Sequence, residues 1–526
     1  MKPWWGLALG WAICPGSLGG VESDSRPARP NILLILADDL GFSDLGCYGS
    51  EIATPNLDRL AAGGLRFSQF YNAARCCPTR ASLLTGRFPH QVGVGRMLRP
   101  LGSPAYRGFL SPDSVTIAEV LRAAGYRCLM SGKWHLGEMR PHYPIDHGFE
   151  RYFGLLSGAS SYFRLWSNRR MAIDDRPYTP AAAGFYMTDA ITDRAIGYIE
   201  EYGRGPAPFF LYVAYTAPHA PLHALPEDIA RYRGKYRIGW DELRERRYRR
   251  MVELGLIDAR WALAPRDPLV SPWSEVGDPD TEDLKMAVYA AQIDRMDRGI
   301  GRILEKVRQI GAEHNTLVLF LSDNGGDSEE IDEGLPGSRP GEPDSNVGYG
   351  RGWANVSNAP FRLHKRWVHE GGIATPLIAY WPAVIRQPGR IDRQVGHIVD
   401  ILPTCLEAAG VDYPKRFQER DIQPTEGISL MPTFLGRPRP EHGCLWWEHE
   451  GNRAIRCGRW KLVAVDRGPW ELYDMEADRT ELHDLSAEQP ERVRELRDRY
   501  ETIARKCQIL PYEPQLRRSK PPPGGG

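Results

Sequence analysis

Four short runs of this chain are almost wholly apolar: Asn31 to Leu36, Phe209 to Tyr215, Thr316 to Leu321 and Thr375 to Tyr380. Each has the length of a strand and is too short for an ordinary buried helix. Unbroken apolarity over such a length suits a strand covered on both faces, as inside a parallel sheet. Helical patterns lie between the runs. One spans Ser114 to Ala124; another spans Asp283 to Gln309, where Met286, Tyr289, Ile293, Met296, Ile300, Ile303 and Leu304 recur at helical spacing. Strands alternating with helices predict an α/β fold, with a large, mostly parallel sheet sandwiched by helices. Ligands of such sheets collect at the carboxyl ends of the strands, where several polar motifs of this chain stand.

At 526 residues the chain is too long for one ordinary core and divides into about two or three domains. Lys plus Arg and Asp plus Glu both total 67, so no global charge favours nucleic acid or an anionic membrane. Residues 1–20 read as a cleaved secretory signal: Lys2, an apolar stretch from Trp4 to Ile13, then Gly16, Ser17, Gly19 and Gly20. That stretch is well short of the roughly 20 residues a bilayer span requires, and no later run is long enough either. The expectation is an exported protein, periplasmic or secreted, without a membrane span. Residues 21–30 form a Pro-containing linker and residues 31–412 the large domain. Beyond Asp412 the pattern changes to a smaller α+β domain, residues 413–515, with an antiparallel sheet. Its strands are expected at Cys444 to Glu448, Ala454 to Arg456, Lys461 to Val465 and Glu471 to Tyr473, and a helix at Glu491 to Arg505. Residues 516–526 are expected to be a disordered tail. Glu227 to Asp280, rich in Arg and Trp, reads as an insertion near a site entrance, and Ser328 to Asn358 as a long loop. The nine cysteines include no CxxC pair, so nothing suggests a zinc site, and their pairing cannot be read from spacing.

The segment from Cys76 to Gly86, CCPTRASLLTG, begins as a helix start. Pro78 is tolerated in a first turn, Ala81 to Leu84 continue the helix, and Gly86 ends it. Cys76 therefore sits at a helix N-terminus, where free amides and the dipole favour an anion that Arg80 can turn back to bind. Asp38 and Asp39 follow one buried strand; Asp323 and Asn324 follow another. Adjacent carboxylates repel and invite a hard divalent cation with oxygen ligands, and the four residues together are a candidate Ca²⁺ cage. Lys133 and His135 lie two residues apart and share a face if the backbone is extended. His219 directly follows a strand, and Lys365 stands shortly before Glu370-Gly371-Gly372. Singly, each of these features has an ordinary reading: a hairpin turn, a solvated loop, a surface lysine. His90, His223, His364 and His369 keep such a structural reading, and Asn355-Val356-Ser357 is a lone glycosylation match.

In this order along the chain, the motifs resemble the type I, formylglycine-dependent sulfatases of the alkaline phosphatase superfamily. The likeness runs from Asn31 into the C-terminal domain. Phe361 to Pro376 (FRLHKRWVHEGGIATP) and Trp447 to Arg456 (WEHEGNRAIR) are similar to the bacterial arylsulfatase branch. Thr79 stands where serine is commoner in the family and keeps a hydroxyl. The resemblance implies an alkaline phosphatase-like catalytic domain that hydrolyses aryl or carbohydrate sulfate monoesters. It implies that Cys76 is converted to formylglycine by a formylglycine-generating enzyme. One Ca²⁺ would be held by Asp38, Asp39, Asp323, Asn324 and the modified Cys76. Lys365, Arg80 and Lys133 would hold sulfate oxygens, His219 with Lys365 would protonate the leaving alcohol, and His135 would deprotonate the residual hydroxyl.

Two other classes compete. A phosphate or phosphonate monoester hydrolase of the same superfamily would use a related metal site. A non-catalytic glycan-binding relative would be expected to have lost Cys76, Arg80 or a metal ligand, and all are present. The Trp and Arg residues between Arg231 and Trp273 are the candidates for flanking a sulfated small molecule or glycan.

Overall fold

The computed structural model describes residues 1, 4, 29–181 and 183–511. Almost all of the signal segment, most of the 21–30 linker and the 516–526 tail lie outside the described residues. The large sheet has eleven strands. In chain order they are β1 (Asn31–Asp38), β2 (Leu65–Tyr71), β3 (Arg127–Gly132), β4 (Arg151–Leu155), β5 (Met171–Ile173), β6 (Arg176–Pro177), β7 (Phe209–Pro218), β8 (Thr316–Ser322), β9 (Ala374–Tyr380), β10 (Arg390–Asp392) and β11 (Gly396–His397). Their spatial order is β10-β2-β9-β8-β1-β7-β3-β4-β5-β6, with β11 also on β2. The central strands β8, β1, β7, β3 and β4 are parallel.

Alternation along β1 explains why its sequence is apolar throughout. Leu33, Ile35 and Ala37 enter one core, shared with helix Pro279–Gln309, while Ile32, Leu34 and Leu36 enter the other, shared with helices Cys76–Thr85 and Ile117–Ala123. Both faces are therefore covered by helices, and the sandwich expected from the sequence is present.

Two features of the sheet differ from a uniform parallel reading. The run from Thr375 to Tyr380 forms β9, which is antiparallel to both β8 and β2. The chain leaves β8 at its carboxyl end and stays there through residues 323–373, so the returning strand must run the other way. That detour is what brings Lys365 to the carboxyl edge. Strands β2 and β3 were not legible as apolar runs, because Arg66, Gln69 and Arg127 interrupt them.

The segment at 227–280 is not at a site entrance. It forms helix Gly239–Glu253, with Trp240 edge-on to Trp273 and Trp353. Arg247 is buried against Asp44 and Glu51, at 2.6 and 2.9 Å. These side chains are consumed by packing, and none of the segment lines the cleft described below. The end of the expected 328–358 loop is helix Gly350–Ser357. Asn355 is buried in it and accepts the Asp267 amide, so the glycosylation match is not a surface acceptor.

A short hairpin, β12 (Arg416–Phe417) and β13 (Arg420–Asp421), precedes a four-stranded antiparallel sheet. That sheet comprises β14 (Leu445–His449), β15 (Asn452–Cys457), β16 (Trp460–Ala464) and β17 (Glu471–Asp474), and helix Pro490–Lys506 packs on it. A disulfide joins Cys444 to Cys457. The two sheets are tied together by a buried charge cluster. Glu370 meets Lys461 at 2.9 Å and Arg479 at 3.0 Å, and Lys461 also meets Glu481 at 2.7 Å. Among the described residues no helix is long and apolar enough to cross a membrane.

Candidate active site

Four central strands deliver their polar residues to one edge. β1 ends in Asp38 and Asp39, β8 leads into Asp323 and Asn324, β7 into His219, and β3 into Lys133. Consecutive strand residues ordinarily point to opposite faces. The left-handed backbone of Asp39 (φ 66°) breaks that alternation, and its carboxylate comes within 4.8 Å of those of Asp38 and of the His219 ring. Gly325 then allows a close approach, since a Cβ there would stand 2.0 Å from the Gly371 carbonyl oxygen. This contact holds the loop of Asn324 against the loop of Lys365.

Beneath the edge the charges interlock. Lys133 Nζ donates to Asp38 Oδ2 at 2.6 Å. Arg80 donates to Asp323 Oδ2 through Nε at 3.2 Å and Nη2 at 2.7 Å, and through Nη1 to the Lys133 carbonyl at 2.9 Å. Lys365 Nζ donates to Asp39 Oδ2 and to Asp327 Oδ2, both at 2.8 Å. Asn324 Nδ2 donates to Asp39 Oδ1 at 2.6 Å. All of these groups are buried. Arg80 and Lys133 thus hold carboxylates in place, and their donors are turned to Asp323 and Asp38 instead of towards open space.

Four carboxylates, of Asp38, Asp39, Asp323 and Asp327, face the three cations Arg80, Lys133 and Lys365 in this dry region. Burial and the neighbouring Asp38 push the Asp323 carboxyl up to about 8. Two buried oxygens, Asp38 Oδ1 and Asn324 Oδ1, have no hydrogen-bond partner. A surplus of carboxylate, an all-oxygen donor set and two orphaned acceptors fit a hard divalent cation.

Cys76 opens helix Cys76–Thr85, which Gly86 ends in a left-handed conformation (φ 66°), as the sequence predicted. The Thr79 hydroxyl accepts the Ala73 amide at 2.9 Å and fixes the turn that leads into Cys76. This is a task serine can also perform. The neighbouring Cys77 thiol, then His135 and Lys133, hold the Cys76 thiol well below its ordinary range. Cys76, His135, His219 and Lys365 all line one cleft of about 1020 Å³.

His135 has Nδ1 buried without a partner, and burial lowers its pKa to about 4, so the ring is neutral near pH 7. Its neighbour Gly158 leaves room for the ring, because a Cβ there would come within 2.5 Å of it. His135 reaches the cleft through a left-handed backbone (φ 54°), not through the extended spacing expected from Lys133. Burial also lowers the His219 pKa. Its Nδ1 contacts the Ala220 carbonyl at 2.5 Å and must donate there, which leaves Nε2 as an acceptor facing Lys365 Nζ at 3.4 Å. Burial opposes the charge on Lys365, but Asp327 and Asp39 raise its pKa well above the ordinary lysine value. Lys365 is therefore the proton-bearing group of this pair.

Asp327 was missed in the sequence, although it stands four residues beyond Asp323 at the end of the same Asp-Asn-Gly-Gly turn. Arg75, also missed, lines the cleft beside Cys76. Of the histidines read as structural, His90 bonds to Glu448 at 2.7 Å and His223 to the Ser345 carbonyl at 2.7 Å. Neither lines the cleft.

The chain matches the family model for sulfatases over residues 30–411. It is a member of the sulfatase family. A second family model, for the C-terminal part of N-sulphoglucosamine sulphohydrolase, matches residues 361–506. An uncharacterized sulfatase of Schizosaccharomyces pombe is 35% identical over 85% of this chain and 87% of the relative. The arylsulfatase of Klebsiella aerogenes is 35% identical over 78% of this chain and 94% of the relative. Among solved structures, that of Ps i-CgsB in complex with k-i-k-neocarrahexaose has a TM-score of 0.68 and 26% identity, covering 93% of this sulfatase and 96% of that chain. Membership places this sulfatase in the alkaline phosphatase superfamily and makes it a sulfuric ester hydrolase.

Proposed function

We propose that this sulfatase hydrolyses aryl and carbohydrate sulfate monoesters using a formylglycine made from Cys76 and one Ca²⁺. The observation that carries the reading is the placement of Cys76, at a helix N-terminus in the cleft, beside buried oxygen ligands with two acceptors unused. Asp38, Asp39, Asp323 and Asn324 would hold the cation, together with the modified Cys76. Bound Ca²⁺ supplies positive charge to the sulfate oxygens and lowers the pKa of a coordinated hydroxyl. Hydrated formylglycine supplies one hydroxyl for attack on sulfur and a second whose deprotonation releases sulfate, a step a serine ester lacks.

The chain's own residues then divide the work. Lys365, held between Asp39 and Asp327 and lining the cleft, would stabilise charge on the sulfate and protonate the leaving alcohol. His219, with Nδ1 donating to the Ala220 carbonyl, accepts from Lys365 through Nε2 and positions it. His135, neutral and beside Cys76, accepts the proton of the residual hydroxyl. Arg80 and Lys133 hold the Asp323 and Asp38 carboxyls in place by direct ion pairs. Maturation by a formylglycine-generating enzyme and export belong to the same proposal, and the Cys444–Cys457 disulfide supports an oxidising compartment.

The test is peptide mass spectrometry at Cys76 on protein co-expressed with a formylglycine-generating enzyme, alongside release of 4-nitrophenol from 4-nitrophenyl sulfate with and without Ca²⁺. An aldehyde at Cys76 and Ca²⁺-dependent turnover, lost in Cys76→Ala, is the expected result. Complete conversion with cleavage of phosphate or phosphonate esters but not sulfate would overturn it.

A further inference from the structure

Arg75 immediately precedes Cys76 as the N-cap residue of helix Cys76–Thr85, in extended backbone, and its side chain lines the cleft. The side chain is only 16% exposed, yet Nε and Nη1 are buried without a hydrogen-bond partner. Nη2 stands 3.8 Å from Glu329 Oε1, beyond hydrogen-bond reach. A buried guanidinium with idle donors is costly and calls for a partner. The nearby carboxylates are already engaged: Asp327 by Lys365, and Glu450 by Arg96 and Arg366. The other cations around Cys76 are committed as well, Arg80 to Asp323 and Lys133 to Asp38. Arg75 is thus a cation beside the reacting residue with donors still to give. Farther along the same cleft Arg169 also has a buried Nε without a partner, whereas Arg164 is closed by Asp344 at 2.8 Å. Glu138, Glu329 and Glu333 line the cleft too, so its preference for anions is local to these arginines.

We propose that Arg75 binds a second anionic group, a carboxylate or a sulfate, carried by the substrate beside the sulfate ester presented to Cys76. The natural substrate is accordingly a sulfate ester that carries at least one further acidic group. The inference rests on the sulfatase reading of Cys76 given above. Nη2, the guanidinium nitrogen that is not closed off, would supply the contact from the cleft wall, and its N–H groups suit an oxygen of either anion.

The experiment compares three probes on the full chain: a monosulfated hexose, its disulfated form and the corresponding monosulfated uronate. Affinities are first measured by calorimetry on the Cys76→Ala background, which cannot turn over. The doubly anionic probes are expected to bind more tightly than the monosulfated hexose. Arg75→Gln is expected to cut that preference by about 10- to 100-fold, the worth of a charge-assisted contact, with Arg75→Lys retaining part of it. The ratio of kcat/KM values on converted enzyme should move in parallel. Because a ratio is read, partial misfolding lowers both arms and leaves it unchanged. A ratio within twofold of the parent, or an equal loss on all probes, overturns the proposal. If the doubly anionic probes show the Arg75-dependent preference but the converted enzyme releases no sulfate from any ester, the sulfatase reading fails and the anion site stands.

Discussion

Replacing Asp327 with asparagine exchanges one charged acceptor for a neutral one of the same shape. In the structure the three N–H groups of Lys365 are directed at Asp39 Oδ2 (2.8 Å), Asp327 Oδ2 (2.8 Å) and His219 Nε2 (3.4 Å). Asp327→Asn leaves the first and third and weakens the second. A hydrogen bond to a charged group contributes about 1.5–3 kcal/mol, so up to roughly 10- to 150-fold in kcat is at stake if that positioning is fully expressed in the transition state. The loss should depend on the leaving group. Lys365 protonates the departing oxygen, and a good leaving group such as 4-nitrophenolate has little need of that proton. The assay is kcat and kcat/KM for a series of aryl sulfates of rising phenol pKa, with thermal unfolding as a control for folding. The expected result is a steeper dependence on leaving-group pKa in Asp327→Asn than in the parent. A uniform loss across the series, or none, would refute the assignment of Lys365 as proton donor and of Asp327 as the residue that positions it.

Three further outcomes are expected. Chelation of Ca²⁺ should abolish turnover and lower the melting temperature; restoring the ion to 100 times its dissociation constant should return about 2.7 kcal/mol of stability, read by calorimetry. The Glu370 cluster should make stability depend on acid. Against the cost of burial, Lys461 and Arg479 hold the Glu370 carboxyl at about 2, below the ordinary glutamate value of about 4.3. Its contribution, on the order of 3 kcal/mol, is complete above that ordinary value and is lost as pH falls from about 4.3 towards 2. Urea unfolding of the parent should therefore steepen with acid across that window, and Glu370→Gln should flatten the slope. Finally, replacing both Cys444 and Cys457 by alanine opens a link 13 residues apart and should cost about 3 kcal/mol by chain entropy, measured as a shift in the urea midpoint without loss of kcat.

Much of the site was legible because its chemistry is local in sequence. The helix start at Cys76-Cys77-Pro78, the paired carboxylates at 38–39 and the Asp-Asn turn at 323–324 each announce themselves within a few residues. Arg75 and Asp327 were overlooked for a different reason. Neither stands in an unusual pattern, and each acquires meaning only from what surrounds it: unused donors in one case, the ammonium of Lys365 in the other. The Trp and Arg residues of 231–273 misled in the opposite direction. Their composition resembles a ligand-facing surface, but burial of Trp240 and the ion pairs of Arg247 use those same properties for packing.

What the sequence determined by itself was the layer architecture and the kinds of chemistry available, since apolar periodicity and residue type depend on near neighbours alone. Tertiary structure decided which groups meet. It turned Arg80 and Lys133 onto carboxylates, left Asp38 Oδ1 and Asn324 Oδ1 without partners, and reversed β9 so that Lys365 arrives opposite Cys76. Those outcomes depend on contacts between residues 95 to 326 positions apart, and such contacts leave no mark in any short stretch of chain.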